Sequence, residues 1–189
     1  AVKLRLSKGI HVVIDRRRLP VPSAVVITEG KRILFVLPWG ERVIIGTTDT
    51  NGQALVFDGK MWIIGGGTRA PKANSLNDVW SSEDGVNWTL VTDSAAWAPR
   101  IWFSTVVYRD RMWVLGGWAE SGNIGDVWYS KDGKTWNEFK SDVKWSKRHE
   151  HAAFVFKDKI WVAGGAAEPN YLLDSEVWSL KVPRGILVD

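Results

Sequence analysis

With 189 residues, 45% of them hydrophobic, the chain can bury one core or a pair of small ones. It has no cysteine, which excludes disulfides, thiolate metal sites and thiol nucleophiles. Its formal charge of +4 is unevenly spread. Residues 1–50 carry nine Lys/Arg against four Asp/Glu, a balance of +5, and the other 139 carry sixteen against seventeen, a balance of −1. No apolar run reaches the roughly 18 residues of a membrane span, and AVKLRLSKGI lacks the apolar middle of a signal peptide. A soluble chain of unassigned compartment is therefore expected, with no membrane partner. Arg16, Arg17 and Arg18 form too short a basic run to imply nucleic acid and read as a solvated turn.

Four runs of branched residues open the chain: Ile10 to Ile14, Ala24 to Thr28, Ile33 to Leu37 and Val43 to Thr47. Breaks containing Pro, Gly30 and Gly40 separate them, so the sequence predicts an antiparallel meander of four short strands over residues 1–50. Two stretches, VKLRLSKGIHVVI at 2–14 and KRILFVLPWGERVIIGTTDT at 31–50, resemble flavin-dependent glycerol-3-phosphate dehydrogenases. The resemblance implies a sheet beside flavin and substrate, with Lys8, His11, Thr47, Thr48 and Asp49 close to that site. A dinucleotide site needs a strand, a glycine-rich turn and a helix, and no G-x-G-x-x-G precedes a helical stretch here. On that ground the segment is expected to pack as a borrowed sheet, without cofactor, with FAD present only if the dehydrogenase alternative holds.

From residue 51 the chain repeats, over about 53–92, 103–141 and 152–182. ALVFDGKMWIIGG, VVYRDRMWVLGG and FVFKDKIWVAGG are each followed by a polar loop and a strand: NDVW, GDVW or SEVW. The step from Trp62 to Trp113 is 51 residues and from Trp113 to Trp161 is 48, and the length variation falls between the double glycine and the later strand. Each unit divides into four strand-like pieces; in the middle one these are Thr105 to Tyr108, Arg111 to Leu115, Asp126 to Ser130 and Thr135 to Phe139. Type I′ turns are expected at Asp58-Gly59, Arg109-Asp110 and Lys157-Asp158, and again at Asp84-Gly85 and Asp132-Gly133. The double glycines are expected to end the second strand, and the repeated tryptophans to fill the space between units.

The pattern resembles the kelch repeat. It implies an all-β, small or partial β-propeller of four-stranded antiparallel blades, and the turns at Ser82 to Trp88 and Ser130 to Trp136 are similar to the aspartate box of sialidase-type propellers. Three units do not close a ring. The first fifty residues are expected to serve as a fourth blade, giving a monomer, or two chains to pair as a homodimer that completes a propeller.

Loops between the Gly-Gly and Asp-Val-Trp strands would gather on one face and bring together Arg69, Asn74, Asn77, Trp118, Asn123, Asn170 and Tyr171. Amides and aromatics suit a glycan or a peptide strand. His149 and His151, at i, i+2 on a strand, would share a face, but with only one further histidine they read as structural, and no metal is expected. The leading expectation is a non-catalytic binding module for a protein or glycan. The alternatives are a glycerol-3-phosphate dehydrogenase-related protein or a recombined chimera with no selected ligand.

Overall fold

The computed structural model describes residues 11–17, 20, 25–29, 32–39, 41–47, 52–68, 74–141, 145–183, 185 and 187. Every regular element among them is a strand, and all strand pairs are antiparallel. The first sheet holds β1 (His11–Asp15), β2 (Val25–Glu29), β3 (Arg32–Trp39) and β4 (Arg42–Thr47). Its order is β1-β4-β3-β2, which differs from the predicted meander. Only β2, β3 and β4 follow one another as hairpins; β1 pairs with β4, with His11 opposite Gly46 and Asp15 opposite Arg42. This is a Greek-key order, made possible by the long Pro-containing connection after β1. Val36 and Val43 are buried in this sheet.

The first two repeats each make a four-stranded sheet. One holds β5 (Gln53–Phe57), β6 (Lys60–Thr68), β7 (Asn74–Ser82) and β8 (Thr89–Thr92). The next holds β9 (Ser104–Val107), β10 (Met112–Ala119), β11 (Gly122–Ser130) and β12 (Asn137–Glu138). After β13 (Arg148–His149), the third repeat has three strands in its main sheet: β14 (Ala152–Phe156), β15 (Lys159–Ala163) and β18 (Val177–Leu180). Short β16 (Ala166–Ala167) and β17 (Leu172–Leu173) pair with each other, and β16 also pairs with β13. The sheets form no closed ring among the described residues, so the four-bladed closure expected from sequence is not seen.

The three inner hairpins turn as predicted. Both central residues have positive φ in each: Asp58 and Gly59, Arg109 and Asp110, and Lys157 and Asp158. The outer turns do not, because Asp84 and Asp132 are not left-handed and only Gly85 and Gly133 are. Here the carboxylate builds the turn instead. Asp84 Oδ1 accepts from the backbone N–H of Val86 and of Asn87, each at 2.8 Å, while Ser82 Oγ accepts from Gly85 N–H at 2.8 Å. Asp132 and Ser130 repeat these bonds. The Asn87 backbone hydrogen bond, with others around it, holds the Asp84 carboxyl far below the usual carboxylate range.

The double glycines depart from expectation in the first two repeats, where they do not end the strand; in the third, β15 stops at Ala163 just before Gly164-Gly165, as expected. β6 and β10 run straight through theirs, with a shift of pairing register between Ile64 and Gly66 and between Leu115 and Gly117. Gly65 and Gly116 sit at φ 46° and 54°, the left-handed residue of a bulge that leaves the strand paired on either side. The polar loop of the middle repeat therefore shrinks to Glu120-Ser121 at the tip of a hairpin.

Two apolar clusters join consecutive sheets. Leu55, Trp62, Ile64 and Val79 of the first repeat meet Phe103, Met112, Val114 and Trp136 of the second. Val106, Tyr108, Trp113, Leu115, Val127 and Tyr129 of the second meet Ile160, Val162 and Leu180 of the third. Trp62 and Trp113 do fill these spaces, whereas Trp161 is only half buried; all three N–H groups find the same kind of partner, donating to the carbonyls of Phe57, Tyr108 and Phe156 at 3.0, 2.9 and 2.9 Å. Trp97 and Trp145, 48 residues apart, are buried too and were not singled out by sequence.

A fully buried arginine ties each linker to the repeat that follows it. Arg100 donates to both Asp126 carboxylate oxygens, at 2.5 and 2.9 Å, and to the carbonyls of Gly116 and Ala98, each at 3.0 Å. Arg148 does the same one repeat later, donating to Gly164 O at 2.9 Å, Glu176 at 3.0 Å and Asp174 at 3.2 Å. Removing Arg100 leaves Asp126 and a glycine carbonyl without their cation, so Arg100→Ala should cost about 3–5 kcal/mol. Arg100→Lys should recover little, since an ammonium cannot make the two-pronged contact; urea unfolding of the three proteins checks both.

Glycines give a second test. A Cβ on Gly133 would run into the Trp62 ring of the preceding repeat, whereas one on Gly59 would meet nothing within 4 Å, though both residues have left-handed φ. Gly59→Ala should therefore cost only the backbone strain of about 1–2 kcal/mol. Gly133→Ala should cost about 1–3 kcal/mol more through overpacking, read as a larger fall in the urea midpoint.

Candidate functional site

Two places gather the residues singled out by sequence. In the first sheet, β1 and β4 are hydrogen-bonded neighbours, so the strand that begins at His11 and the strand that contains Gly46-Thr47 lie side by side, with His11 directly across from Gly46. Thr47 in turn pairs with Leu34 of β3. Thus the two separated halves of the dehydrogenase-like segment meet in the fold. Lys8, Thr48 and Asp49 lie outside the described residues, as does Arg69 of the repeat loops.

The second place is a cleft of about 480 Å³ at the far end of the middle repeat, lined by Trp118, Glu120, Ser121, Gly122, His149 and Tyr171. Trp118 is fixed by a bridge to Ile101, N–H to O at 2.8 Å and back at 2.9 Å. A run of rings follows. Trp102 lies 5.9 Å from Trp118 and is stacked on His149 at 5.1 Å, and His149 is 6.3 Å from Tyr171. Asn123 orients the imidazole: its amide nitrogen donates to Ala166 O at 3.0 Å and Lys147 O at 3.3 Å, which turns its oxygen toward His149 Nδ1. Nδ1 therefore carries a proton, and in the neutral ring Nε2 is the acceptor.

Of the predicted loop-face residues, the fold brings Trp118 and Tyr171 into this cleft, with Asn123 beneath it. The others do not converge there. Asn77 is a structural lock, its amide donating to Ala95 O at 2.9 Å and Trp97 O at 3.1 Å. Asn74 is paired with Thr68 at the end of β6, and Asn170 is exposed in the turn before β17. Sequence reasoning passed over Trp102, which follows the short bridges at Arg100 and Ile101 with a left-handed φ of 57° and stacks its ring on the cleft-lining His149. It also set His149 aside.

His149 and His151 do not share a strand face. Glu150 has φ 54°, which breaks the alternation that the i, i+2 spacing assumed, and β13 ends at His149. His149 lines the cleft, while His151 is buried against Gly116 and Gly165. No group of three or more potential metal-binding side chains occurs among the described residues. Burial, and then the charge of Arg148, lowers the His151 pKa to about 4 from an ordinary value of 6.5; the nearby Leu115 backbone opposes this only in part, and neither ring nitrogen makes a hydrogen bond of ordinary geometry. Above pH 6.5 the ring is neutral in folded and unfolded chains alike. Below it the unfolded chain takes up a proton that the folded chain resists down to about pH 4. Stability should therefore fall by about 3 kcal/mol as pH drops from 6.5 to 4. His151→Phe should flatten that part of the profile, and the His151 NMR resonances should stay neutral through pH 5.

Comparison with known proteins bears on the first place. No family model matches the chain. A glycerol-3-phosphate dehydrogenase of Mycobacterium leprae is 45% identical over 49 residues, which is 26% of this chain and 8% of that protein. Glycerol-3-phosphate dehydrogenase 2 of Mycobacterium tuberculosis is 47% identical over the same length and shares. An alpha-glycerophosphate oxidase of Streptococcus pyogenes serotype M6 is 34% identical over 105 residues, half of this chain and 17% of the oxidase. The chain thus spans less than a fifth of each of these relatives.

These relatives support the resemblance drawn from residues 2–50, and they correct the leading expectation. The reading as a non-catalytic binding module for a protein or glycan is overturned, because the proteins to which the chain is similar are named as enzymes. The kelch assignment likewise has no family match behind it, and the repeats stand as antiparallel sheets only. Among the described residues no helix is long and apolar enough to cross a membrane.

Proposed function

We propose that this chain is a glycerol-3-phosphate dehydrogenase-related protein, in which residues 1–50 form a substrate-side sheet and residues 51–189 a repeat unit stacked beside it. The observation that carries the reading is the β1–β4 pairing, which sets His11 against Gly46 and so reunites the two stretches of the resemblance. The enzyme-named relatives agree with it. The charge balance of +5 over these fifty residues suits an anionic phosphate ester. In this reading Lys8 attracts the phosphate, and His11, Thr47, Thr48 and Asp49 hydrogen-bond the glycerol hydroxyls.

The flavin implied by the resemblance does not fit the described residues. No strand, glycine-rich turn and helix succeed one another among them, and the one glycine triplet is already filled by protein. A Cβ on Gly65 would meet the Trp97 ring at 2.9 Å, and one on Gly67 would collide with the Asn74 carbonyl, so no pyrophosphate can approach that backbone. The described residues thus offer no site for the dinucleotide's pyrophosphate, and in this reading they bind and orient the substrate.

Calorimetric titration of the chain with glycerol 3-phosphate at low salt tests this. Saturable binding is expected, weakened about tenfold by Lys8→Ala and unchanged by Trp118→Ala in the remote cleft. No saturable heat, or equal binding by the Lys8→Ala protein, would sink the proposal.

A further inference from the structure

The cleft around His149 takes no part in the binding proposed for the first sheet, yet its walls share one electrical character. Three of its six lining residues present rings, Trp118, His149 and Tyr171, and Trp102 backs the second of them at 5.1 Å. From Trp118 through Trp102 and His149 to Tyr171, successive rings are inclined by 52°, 27° and 48°, so they form no single flat platform. The other lining residues are Glu120, Ser121 and Gly122, and neither lysine nor arginine is among the six. A second carboxylate stands close by: a Cβ on Gly122 would meet the Tyr171 hydroxyl at 3.1 Å and Glu168 Oε1 at 3.9 Å. Neither Glu120 nor Glu168 forms an ion pair among the described residues. Backbone strain gathers at the same place. Outside the three inner hairpins, the described non-glycine residues with left-handed φ are Trp102, Glu150 and Tyr171, at 57°, 54° and 53°. Two of them carry rings of the cleft, and the third follows His149 and donates its N–H to the Trp102 carbonyl at 2.8 Å. Bulky side chains adopt this conformation at a cost, and such residues cluster where a binding site is held in shape.

We propose that this cleft binds a small organic cation, a methylated ammonium group held among the rings with its charge balanced by Glu120 and Glu168. The face of an aromatic ring is the negative part of its quadrupole, so indole and phenol surfaces attract a cation and repel an anion. A phosphate ester would meet those faces and two carboxylates with no positive side chain in the lining to receive it, which separates this site from the first sheet. The ring wall also selects among cations. A bare ammonium has three donors to satisfy and would find ring carbon along much of the wall, whereas a trimethylammonium group has no donor to lose. The volume of about 480 Å³ lies within the range of small-ligand sites. Because the walls come from the second and third repeats together, the site exists only where those two sheets pack.

Calorimetric titration with choline tests the assignment, beside ethanolamine and the uncharged isostere of choline in which carbon replaces the nitrogen. Saturable choline binding is expected, about tenfold weaker for either comparison compound and in both the Trp118→Ala and the Tyr171→Ala protein, with unchanged circular dichroism. Tyr171 is half exposed, so its removal does not threaten the fold, and Tyr171→Phe, which keeps the ring, should bind as the parent chain does. The same group occurs free in choline and at a lipid surface in phosphatidylcholine, and co-sedimentation with phosphatidylcholine vesicles separates the two sources. Choline heat without vesicle binding assigns a soluble ligand; vesicle binding that both ring deletions abolish assigns a headgroup. No binding of either, equal binding of the isostere or of ethanolamine, or full binding by both ring-deleted proteins would each overturn the proposal. None of these outcomes depends on whether glycerol 3-phosphate binds.

Discussion

The repeat region depends on one recurring interaction, the buried arginine that enters each new sheet. A guanidinium taken wholly out of water is costly unless nearly all of its donors are used. Arg100 and Arg148 meet that condition by the same means. Each caps the carbonyl of a left-handed glycine of the double-glycine pair and reaches carboxylates of the same repeat, Asp126 in one case and Asp174 with Glu176 in the other. The bulge is what presents the carbonyl, since the left-handed Gly116 turns the strand without ending it. The tryptophan two residues beyond the acid shares the arrangement: Trp128 Nε1 donates to Asp126 at 2.7 Å, and Trp178 Nε1 to Glu176 at 2.9 Å. Arginine, double glycine, acid and tryptophan are thus one unit of construction, spread over nearly thirty residues of chain and closed only in space.

With that unit in place the remaining geometry follows. The apolar faces of successive sheets meet in two separate clusters. The aspartate turns project glycine backbone onto the preceding sheet, and Gly133 sits so close to Trp62 that no side chain could stand there. At the opposite end, β10 running on past its glycines carries Trp118, and the turn between β16 and β17 of the third repeat carries Tyr171, into one cleft around His149. The cleft is a by-product of the bulge: strands that ended at the glycines would leave open loops in its place.

The first sheet is built differently, and its history is the part most legible by comparison. Its Greek-key order places first and last strands together, which a meander would have kept at opposite edges. That juxtaposition is what makes the likeness to glycerol-3-phosphate dehydrogenases and alpha-glycerophosphate oxidase structurally coherent, since the two similar stretches are otherwise separated by the length of β2 and its flanks.

The sequence alone settled a good deal. Alternating apolar runs identified nearly every long strand, and Asp-Gly, Arg-Asp and Lys-Asp pairs located the three inner turns, because period and turn chemistry are local properties. The similar spacings of Trp62, Trp113 and Trp161, 51 and 48 residues, established the repetition, and the place of Trp62 and Trp113 between sheets with it. What it left to the tertiary structure were the long-range choices. Whether β1 pairs with β2 or β4, whether Gly65 and Gly116 end a strand or bulge within it, and whether His149 and His151 point the same way all depend on distant partners: Gly46 for the first, Arg100 with Asp126 for the second, and the left-handed Glu150 for the third. The cleft residues were half visible for the same reason. Trp118 and Tyr171 sit in the variable stretch after the double glycines and could be read from the repeat, whereas His149, with Trp102 stacked on it, reaches the cleft only through the packing of neighbouring repeats.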